Sequence, residues 1–336
     1  MRHRLPPLVL VAVLAPSLLL VLLGSLAVGH SHVSAPELFH ALRHAVGVGG
    51  RPLESLDTTI IWQLRAPRAL TAIAVGAGLA VAGAIMQALT RNPLADPYLL
   101  GVSSGASVGA VAVLMTGMSL LLPLAAFAGA LLALTLTLGL ARAAGAFTSS
   151  AVVLAGVVIA SMGSALTGLL IFWNSTGDTF ADVMAWLLGS LSGSTWRTAA
   201  TGLLAVAILL PPLVLAAPVL DAFAFGDDTA ALSGVNVRSA RYVLLALASL
   251  LTGAVVSVSG AIGFVGLVLP HAIRMLVGPG HRALLPLSAL AGALFLLTTD
   301  SLARSIVEPR EIPVGIVTAL VGAPIFAVLM IRRSAR

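Results

Sequence analysis

Long apolar runs, separated by short polar connections, make up most of this sequence. Seven of the runs approach or exceed the roughly 20 residues that an α-helix needs to cross the hydrocarbon core of a bilayer. A helix is the expected conformation because in lipid each backbone N–H and C=O group must find its partner within the segment. The seven predicted spans are residues 5–28, 69–90, 149–173, 198–220, 242–262, 283–299 and 312–331.

Three more spans come from less regular stretches. The uncharged stretch 99–141 is about twice one crossing and has Gly117 and Pro123 near its middle, so it predicts two helices joined by a tight turn. The shorter run 263–277 carries His271, and it can cross only if its polar side chains meet protein or a membrane face. The pattern therefore predicts an all-α membrane protein of about ten transmembrane helices, in a single domain over residues 1–336.

Two of the apolar segments could be something other than an ordinary membrane-crossing helix. Residues 5–28 exceed the apolar core of a usual signal peptide, so we expect a retained helix rather than a cleaved leader. Residues 183–196 are too short to cross, and their polar flanks predict a helix that lies at the surface or is partly re-entrant.

Composition agrees with this pattern and excludes several kinds of chemistry. Hydrophobic residues make up 59% of the chain, charged residues 9%, and the mean hydropathy is +1.09, so lipid is the solvent for most of it. The absence of cysteine excludes disulfides and thiolate sites. All 18 basic residues are arginine, which excludes a Schiff-base lysine and the lysine of a nucleotide-binding P-loop. An ATPase, if one is needed, is therefore another chain.

The arginines give the predicted orientation. They are scattered singly, without a basic stripe, so nucleic-acid binding is not expected. Ten spans with both termini in the cytoplasm put more arginines inside than outside, as the positive-inside rule requires. The inner set is Arg2, Arg4, Arg91, Arg142, Arg238, Arg241, Arg274, Arg282, Arg332, Arg333 and Arg336, and the outer set is Arg43, Arg51, Arg65, Arg68, Arg197, Arg304 and Arg310.

Three of the outer arginines, Arg65, Arg68 and Arg304, adjoin the ends of predicted spans. They could meet an acidic partner at the outer surface. They could equally extend along the membrane surface or pair with local acids, as Arg304 could with Asp300 one helical turn earlier.

The longest inner polar stretch is residues 221–241. Asp227 and Asp228 could cap a short helix that Gly234 would end. Such a helix is either a simple connector or a docking element.

A third polar patch interrupts the chain between the second and third spans. Its prolines and glycines force irregular backbone, which at membrane depth is tolerated where it is buried in protein or lines a cavity. The alternative is an ordinary interfacial turn. The candidate cavity-lining residues are Asn92, Pro93, Gly101, Ser103 and Ser104.

The sequence contains no convincing catalytic or metal site. His30, His32, His40 and His44 cluster in or near the predicted outer loop, residues 30–63, but their spacing without cysteine or a carboxylate frame is weak, so we predict no metal site. No catalytic motif or buried pair of carboxylates is present, so we expect no enzyme activity. Ionisable residues deep in the spans are scarce, which disfavours an ion-coupled secondary transporter.

Short motifs from residue 64 to the carboxyl terminus resemble one family in particular. They are LRAPR at 64–68, GAIMQAL at 83–89, NPLADP at 92–97, LGVSSGA at 100–106, GFVGLVLPH at 263–271 with Arg274, EIPVGIVTA at 311–319 and GAP at 322–324. Together they are similar to the iron-siderophore and vitamin B12 permease family of ABC importers, which has a ten-helix permease fold. The first 53 residues carry none of these motifs.

The resemblance implies a set of partners. It predicts a second permease subunit, identical or different, around a central pathway, two separate ATPase subunits that bind ATP inside, and a substrate-binding protein outside. It implies no cofactor on this chain and a place in the bacterial inner membrane.

The resemblance also assigns roles to residues. Arg65, Arg68 and Arg304 would meet acids of the binding protein, and charge complementarity there would govern docking orientation and rate. Residues 221–241, hereafter the coupling segment, would rest in a groove of the ATPase through Asp221, Gly226, Asp227, Asp228, Leu232, Gly234 and Val235. Thr148, Ser149 and Ser150 match the family's cytoplasmic gate.

The predicted cargo is a ferric siderophore, with haem or a cobalamin-like corrinoid as alternatives. An ion-coupled transporter working alone is the alternative from another class.

Overall fold

The computed structural model describes residues 5–27, 35–45, 47, 57, 59–145, 148–174, 177–307 and 311–334. Within these ranges the chain is all-α and has no strand. The α-helices are α1 (Pro7–Ala27), α2 (Ala35–Ala45), α3 (Ala66–Thr90), α4 (Val102–Leu114), α5 (Leu122–Ala143), α6 (Ser149–Asn174), α7 (Gly177–Leu187), α8 (Trp196–Leu215), α9 (Ala217–Ala224), α10 (Asp227–Leu232), α11 (Val237–Ser259), α12 (Val265–Val277), α13 (His281–Ala303) and α14 (Val314–Ser334).

Each of the predicted spans contains a helix that could cross the membrane or a shorter apolar helix. In the described residues seven helices are long and apolar enough to cross a membrane, counting α3 together with the π-helical turn Ile60–Arg65 that precedes it. Three shorter apolar helices, α4, α12 and the apolar part of α14, account for the remaining predicted spans. The total of ten crossings and the cytoplasmic position of both termini stay predictions.

Helix α3 forms the centre of the bundle, and 89% of its apolar window is buried. Glycines set how closely its neighbours approach. A methyl group on Gly76 would overlap the carbonyl group of Gly292 in α13, and one on Gly83 would overlap that of Gly266 in α12. Small residues at such crossings allow backbones to come together in lipid, where no hydrophobic force drives helices into contact.

The stretch 99–141 contains two helices, as predicted. Helix α4 ends at Leu114, Gly117 adopts a left-handed φ of 72°, and α5 begins at Leu122. Helix α4 has 13 residues because a 3₁₀ turn, Pro97–Leu100, occupies the start of the stretch. Asp96 caps that turn by accepting a hydrogen bond from the backbone N–H of Tyr98 at 2.8 Å.

The predicted helix over residues 183–196 was wrong in its bounds. Helix α7 ends at Leu187, and Gly189 follows with a left-handed φ of 76°. The backbone here pairs with distant segments: the carbonyl of Gly189 accepts from the N–H of Gly315 at 3.1 Å, and the N–H of Ser190 donates to the carbonyl of Ser259 at 2.9 Å. These tertiary hydrogen bonds replace those that a continued helix would make.

The predicted span 198–220 is divided between two helices. Helix α8 ends at Leu215, Ala216 connects, and α9 begins at Ala217. Pro218 lacks a backbone N–H, and its ring would clash with the carbonyl four residues earlier in a continuous helix. The break lies two residues before this proline, although α8 accommodates Pro211 and Pro212 without ending, and it separates the membrane-crossing helix from the coupling segment.

Non-helical backbone inside the bundle is satisfied by protein groups. Between α11 and α12 the chain turns at Gly260, and the hydroxyl of Tyr98 donates to the carbonyl of Ile262 at 2.8 Å and accepts from its N–H at 3.0 Å. Such pairing is what permits irregular backbone at membrane depth.

Candidate functional site

The first candidate region is a cluster of charges where α3 and α13 meet, at the end predicted to face outward. We call Arg65, Arg68, Asp300, Arg304 and Glu311 the outer ion cluster. Asp300 is fully buried, and both of its carboxylate oxygens accept hydrogen bonds from Arg68 at 2.9–3.0 Å. The Nη1 atom of Arg68 also donates to Oε2 of Glu311 at 2.7 Å. One guanidinium group thus joins α3, α13 and the connection to α14.

The other two arginines of the cluster fix the end of α1. Nε of Arg304 lies 3.4 Å from Oδ2 of Asp300, and its Nη2 atom is 3.4 Å from the carbonyl oxygen of Ser25. The Nη1 atom of Arg65 donates to the carbonyls of Leu26 and Ala27 at 2.8 and 2.9 Å. These charge-assisted bonds satisfy carbonyl groups that the helix itself leaves without partners.

The three arginines of the cluster are too deeply buried to dock a partner in this conformation. Residue exposure is 6% for Arg65, 8% for Arg68 and 6% for Arg304, so in this conformation they are not presented to a partner. The alternative, in which Arg304 pairs with Asp300, is confirmed. The two-oxygen contact of Arg68 with Asp300 was not foreseen. A docking role for the three arginines stays a prediction, and it would need the cluster to open.

The second candidate region is the coupling segment. Helix α10 begins after Gly226 and ends before Gly234, whose φ is 82°, so the predicted end is confirmed. The predicted capping by Asp227 and Asp228 was wrong: Gly226 takes the cap position, and both carboxylates lie in the first turn. There they still favour the helix, because negative charge is stabilising near its amino end.

An ion pair and a histidine–carboxylate hydrogen bond tie the coupling segment to two long helices. Asp227 accepts a hydrogen bond from Arg241 of α11 at 2.7 Å, and the Arg241 guanidinium packs over the Phe223 ring, 5.2 Å from its centroid. Asp221 in α9 accepts from the backbone N–H of His281 at 2.9 Å and lies 2.6 Å from the Nδ1 atom of the same residue. The segment is therefore anchored to α11 and to α13.

The coupling segment also carries two exposed large apolar side chains. Leu232 is 90% exposed and Phe225 is 78% exposed, while Asp228 is exposed beside them. Val235 is half-buried, and its N–H donates to the carbonyl of Ala230 at 3.1 Å. Phe225 was missed from the sequence because it follows an apolar run and resembles the end of a span. Exposed apolar groups next to polar ones are typical of an interaction surface.

The predicted gate residues lie at the start of α6. Ser149 donates to the carbonyl of Leu89 at 2.9 Å and so joins α6 to the end of α3. Thr148 accepts from the N–H of Ala151 at 3.3 Å and lines a cavity of about 330 Å³, and Ser150 is exposed. Their gate role stays a prediction.

The candidate cavity residues separate into two groups. Pro93 lines a cavity of about 300 Å³ next to α9, and exposed Asn92 accepts from the N–H of Leu94 at 2.9 Å. Gly101, with a φ of 73°, packs against α6, and the half-buried Ser103 and Ser104 follow it in α4. In the loop between the two groups, burial raises the pKa of the Asp96 carboxyl to about 6.

Two of the four histidines in the predicted outer cluster lie within the described residues. His40 and His44 lie in α2, whereas His30 and His32 lie outside the described residues. Among the residues that the structure describes, no three histidine or acidic side chains are arranged to hold a metal ion.

Comparison with known proteins decides the family. A sequence model of the FecCD transport family matches residues 17–332. The chain belongs to this family. It is therefore an ABC importer permease, a transport subunit that crosses the bacterial inner membrane several times.

Relatives with known names support the assignment over most of their length. The cobalamin import permease BtuC of Halobacterium salinarum is 42% identical over 82% of this chain and 74% of its own. The hemin transport permease HmuU of Yersinia pestis is 42% identical over 94% of each chain. One solved structure is described as a metal-chelate type ABC transporter in an inward-facing conformation. It is 31% identical to this chain and superposes on it with a TM-score of 0.84, and the match covers 97% of this chain and 100% of the other.

Proposed function

We propose that this FecCD-family permease imports a bulky metal chelate, and that a separate ATPase subunit drives it by docking on the coupling segment. The exposure of Phe225 and Leu232 is the observation that carries this proposal. Both side chains leave the bundle at the end predicted to face the cytoplasm, where an ATPase would bind. Burying them would give the contact a hydrophobic centre, and Asp228 would lie at its polar rim.

Movement of the ATPase would reach the bundle through the two contacts that anchor the coupling segment. Asp227 holds α10 to Arg241 in α11, and Asp221 holds α9 to the start of α13. A displacement of the coupling segment would therefore pull on two helices that flank α3. Short helices anchored in this way transmit a displacement better than a flexible loop would, because their backbone is already ordered.

We expect Thr148, Ser149 and Ser150 to respond to the same movement. They lie at the start of α6 and adjoin the end of α3 and the coupling segment. Small polar side chains could narrow the inner end of the pathway without retaining a large cargo.

At the outer side we expect a substrate-binding protein to dock near the outer ion cluster. Glu311 is its most exposed acid, with 34% of its side chain accessible. An acidic group of a binding protein would compete with Glu311 for Arg68, so docking through the predicted arginines would be coupled to loosening of the connection before α14. A second permease subunit would complete the pathway.

For the cargo we propose a chemical class rather than one compound. Relatives named for cobalamin and for hemin, and a structural neighbour described as metal-chelate type, support a large metal chelate. A ferric siderophore, the cargo predicted from the sequence, falls within this class, and haem and cobalamin are the alternatives that the relatives favour.

The test is uptake into proteoliposomes that contain this chain, its ATPase and its binding protein. Labelled ferric siderophore, haem and cobalamin are supplied separately, with ATP inside and with an ATP-free control. Accumulation of one cargo only with ATP would support the proposal and identify the cargo. Uptake that ignores ATP and collapses with a proton or sodium ionophore would instead support the ion-coupled transporter and overturn it.

A further inference from the structure

A basic cavity lies at the inner end of the bundle, behind the coupling segment. It has a volume of about 300 Å³ and lies where α3, α9, α12 and α13 meet. We call it the inner basic cavity. None of its described lining residues is acidic, and its polar lining residues are Gln87, Arg91, His271, Arg274 and His281.

His281 is the best-defined polar group in this cavity. Its side chain is 3% exposed, and its Nδ1 atom lies 2.6 Å from the Asp221 carboxylate. The carboxylate favours a proton on Nδ1, which leaves Nε2 of the neutral ring as a hydrogen-bond acceptor for another partner. Among the described residues Nε2 is buried and has no hydrogen-bond partner. A buried polar atom without a partner is costly, so this nitrogen indicates a ligand that would satisfy it.

Arg274 is held in place for such a ligand. Its Nη1 atom donates to Oε1 of Gln87 at 3.0 Å, and the amide nitrogen of Gln87 donates to the carbonyls of Gly266 and Leu267 at 3.3 and 3.1 Å. The guanidinium group is therefore oriented by a glutamine that is itself fixed to α12. A fixed guanidinium fork matches the geometry of a phosphate or carboxylate group.

Arg91 provides a second positive charge at a more accessible position. It follows α3, is exposed, and has a left-handed φ of 52°, which is uncommon for a residue other than glycine. The Nη1 atom of its side chain lies next to Gly226 of the coupling segment, within contact distance of where a side chain on that glycine would begin. An anion entering the cavity would therefore meet Arg91 at its rim and Arg274 and His281 deeper inside.

We propose that the inner basic cavity binds a phosphate-type oxyanion, either free phosphate or the headgroup of an anionic lipid. Two arginines give the charge and the donors that such a group needs, and Nε2 of His281 would accept a hydrogen bond from the P–OH of hydrogen phosphate or from a hydroxyl of a glycerol headgroup. Basic pockets between helices at the cytoplasmic side are typical sites for anionic headgroups. Because Asp221 holds His281, an occupied cavity would also stabilise the attachment of α9 to α13. The proposed binding rests on the cavity alone and is independent of the cargo.

The test uses the purified chain without partners. Inorganic phosphate is titrated in calorimetry, and retention of phosphatidylglycerol is compared with that of phosphatidylcholine by native mass spectrometry. The cavity variants are Arg91→Asn, which suits the left-handed backbone, and His281→Gln. The control is Arg142→Asn, the same replacement at an exposed arginine outside the cavity.

We expect saturable binding of one of the two anions, weakened about tenfold by each cavity variant and unchanged by the control, as loss of one charge-assisted contact predicts. If the cavity variants weaken the binding of free phosphate, the site is supported and its ligand is a soluble anion. If they weaken only the retention of phosphatidylglycerol, the site is supported and its ligand is a lipid headgroup. Binding of neither anion, or equal binding by wild type and Arg91→Asn, would overturn the proposal. Arg91 is exposed, so this variant is informative even if His281→Gln does not fold.

Discussion

The outer ion cluster and the coupling segment both contain arginine–carboxylate contacts, yet they expose their acids to different degrees. Asp300 is shared by two arginines and has no exposed side-chain surface, whereas 39% of the Asp227 side chain remains accessible beside Arg241. The outer cluster is closed around its charges. The coupling segment pairs its charges and leaves Phe225 and Leu232 uncovered. The first arrangement serves to join helices, and the second both joins helices and presents a surface.

The largest expected effect comes from removing the central acid of the closed region. Asp300→Asn leaves the buried guanidinium groups of Arg68 and Arg304 without their shared counter-charge. We expect a loss of about 3–5 kcal/mol in the free energy of unfolding, since breaking a buried ion pair on one side leaves an uncompensated charge. Thermal unfolding in detergent measures it. The control is Asp228→Asn at an exposed acid, and equal stability of the two variants would show that the outer cluster does not hold the helices.

The second prediction concerns the ion pair within the exposed region. Arg241→Gln removes a charge-assisted bond to Asp227 and the packing over Phe223. We expect a loss of about 1.5–3 kcal/mol in the free energy of unfolding and, under the proposed function, reduced ATP-driven uptake. The matched control is Arg238→Gln, an exposed arginine three residues earlier in the same helix. Full uptake by Arg241→Gln would remove this ion pair from the coupling mechanism.

A smaller effect is expected at the end of α10. Gly234 has a left-handed φ of 82° and open space around it, so alanine there would have a purely conformational cost of about 1–2 kcal/mol. Gly234→Asn should cost less, because asparagine tolerates this backbone. Gly193→Ala is the control, since its surroundings are also open but its φ is ordinary. Indistinguishable unfolding of the alanine and asparagine variants would contradict the assigned conformation.

The smallest effect on stability is expected at the exposed apolar surface. Leu232→Ser should change the free energy of unfolding by less than about 0.5 kcal/mol, as is usual for surface substitutions. The buried control is Leu220→Ser in α9, which has no exposed surface and should be strongly destabilised. A large loss of stability in Leu232→Ser would mean that this side chain is covered in the isolated chain, and the contrast between the two regions would fail.

The helices were predictable from the sequence because the length of an apolar run is a local property. The end of α10 just before Gly234 was also predictable, because a glycine that ends a helix is a local signal too. The division at Ala216 was missed, although Pro218 could have indicated it. The end of α7 was not predictable, because it depends on hydrogen bonds from Gly189 and Ser190 to distant residues.

The sites were predicted less completely than the helices. The three outer arginines were identified, but their burial was not, because Arg68 and Asp300 are 232 positions apart and only the fold brings them together. Arg304 follows the end of α13 and lies only four positions after Asp300, and that pair was foreseen. The hydrogen bond of His281 with Asp221 was missed for the same reason as the contact of Arg68 with Asp300: the two residues are 60 positions apart.

The most direct test of the central claim is capture of the partner ATPase by the permease in detergent, without cargo or binding protein. The permeases compared are the wild type, Phe225→Ser, Leu232→Ser and the exposed-leucine control Leu94→Ser, which lies outside the coupling segment. We predict that each coupling-segment variant folds normally and loses most of the captured ATPase, while Leu94→Ser captures as much as the wild type. Undiminished capture by both coupling-segment variants would contradict the claim that this surface receives the ATPase.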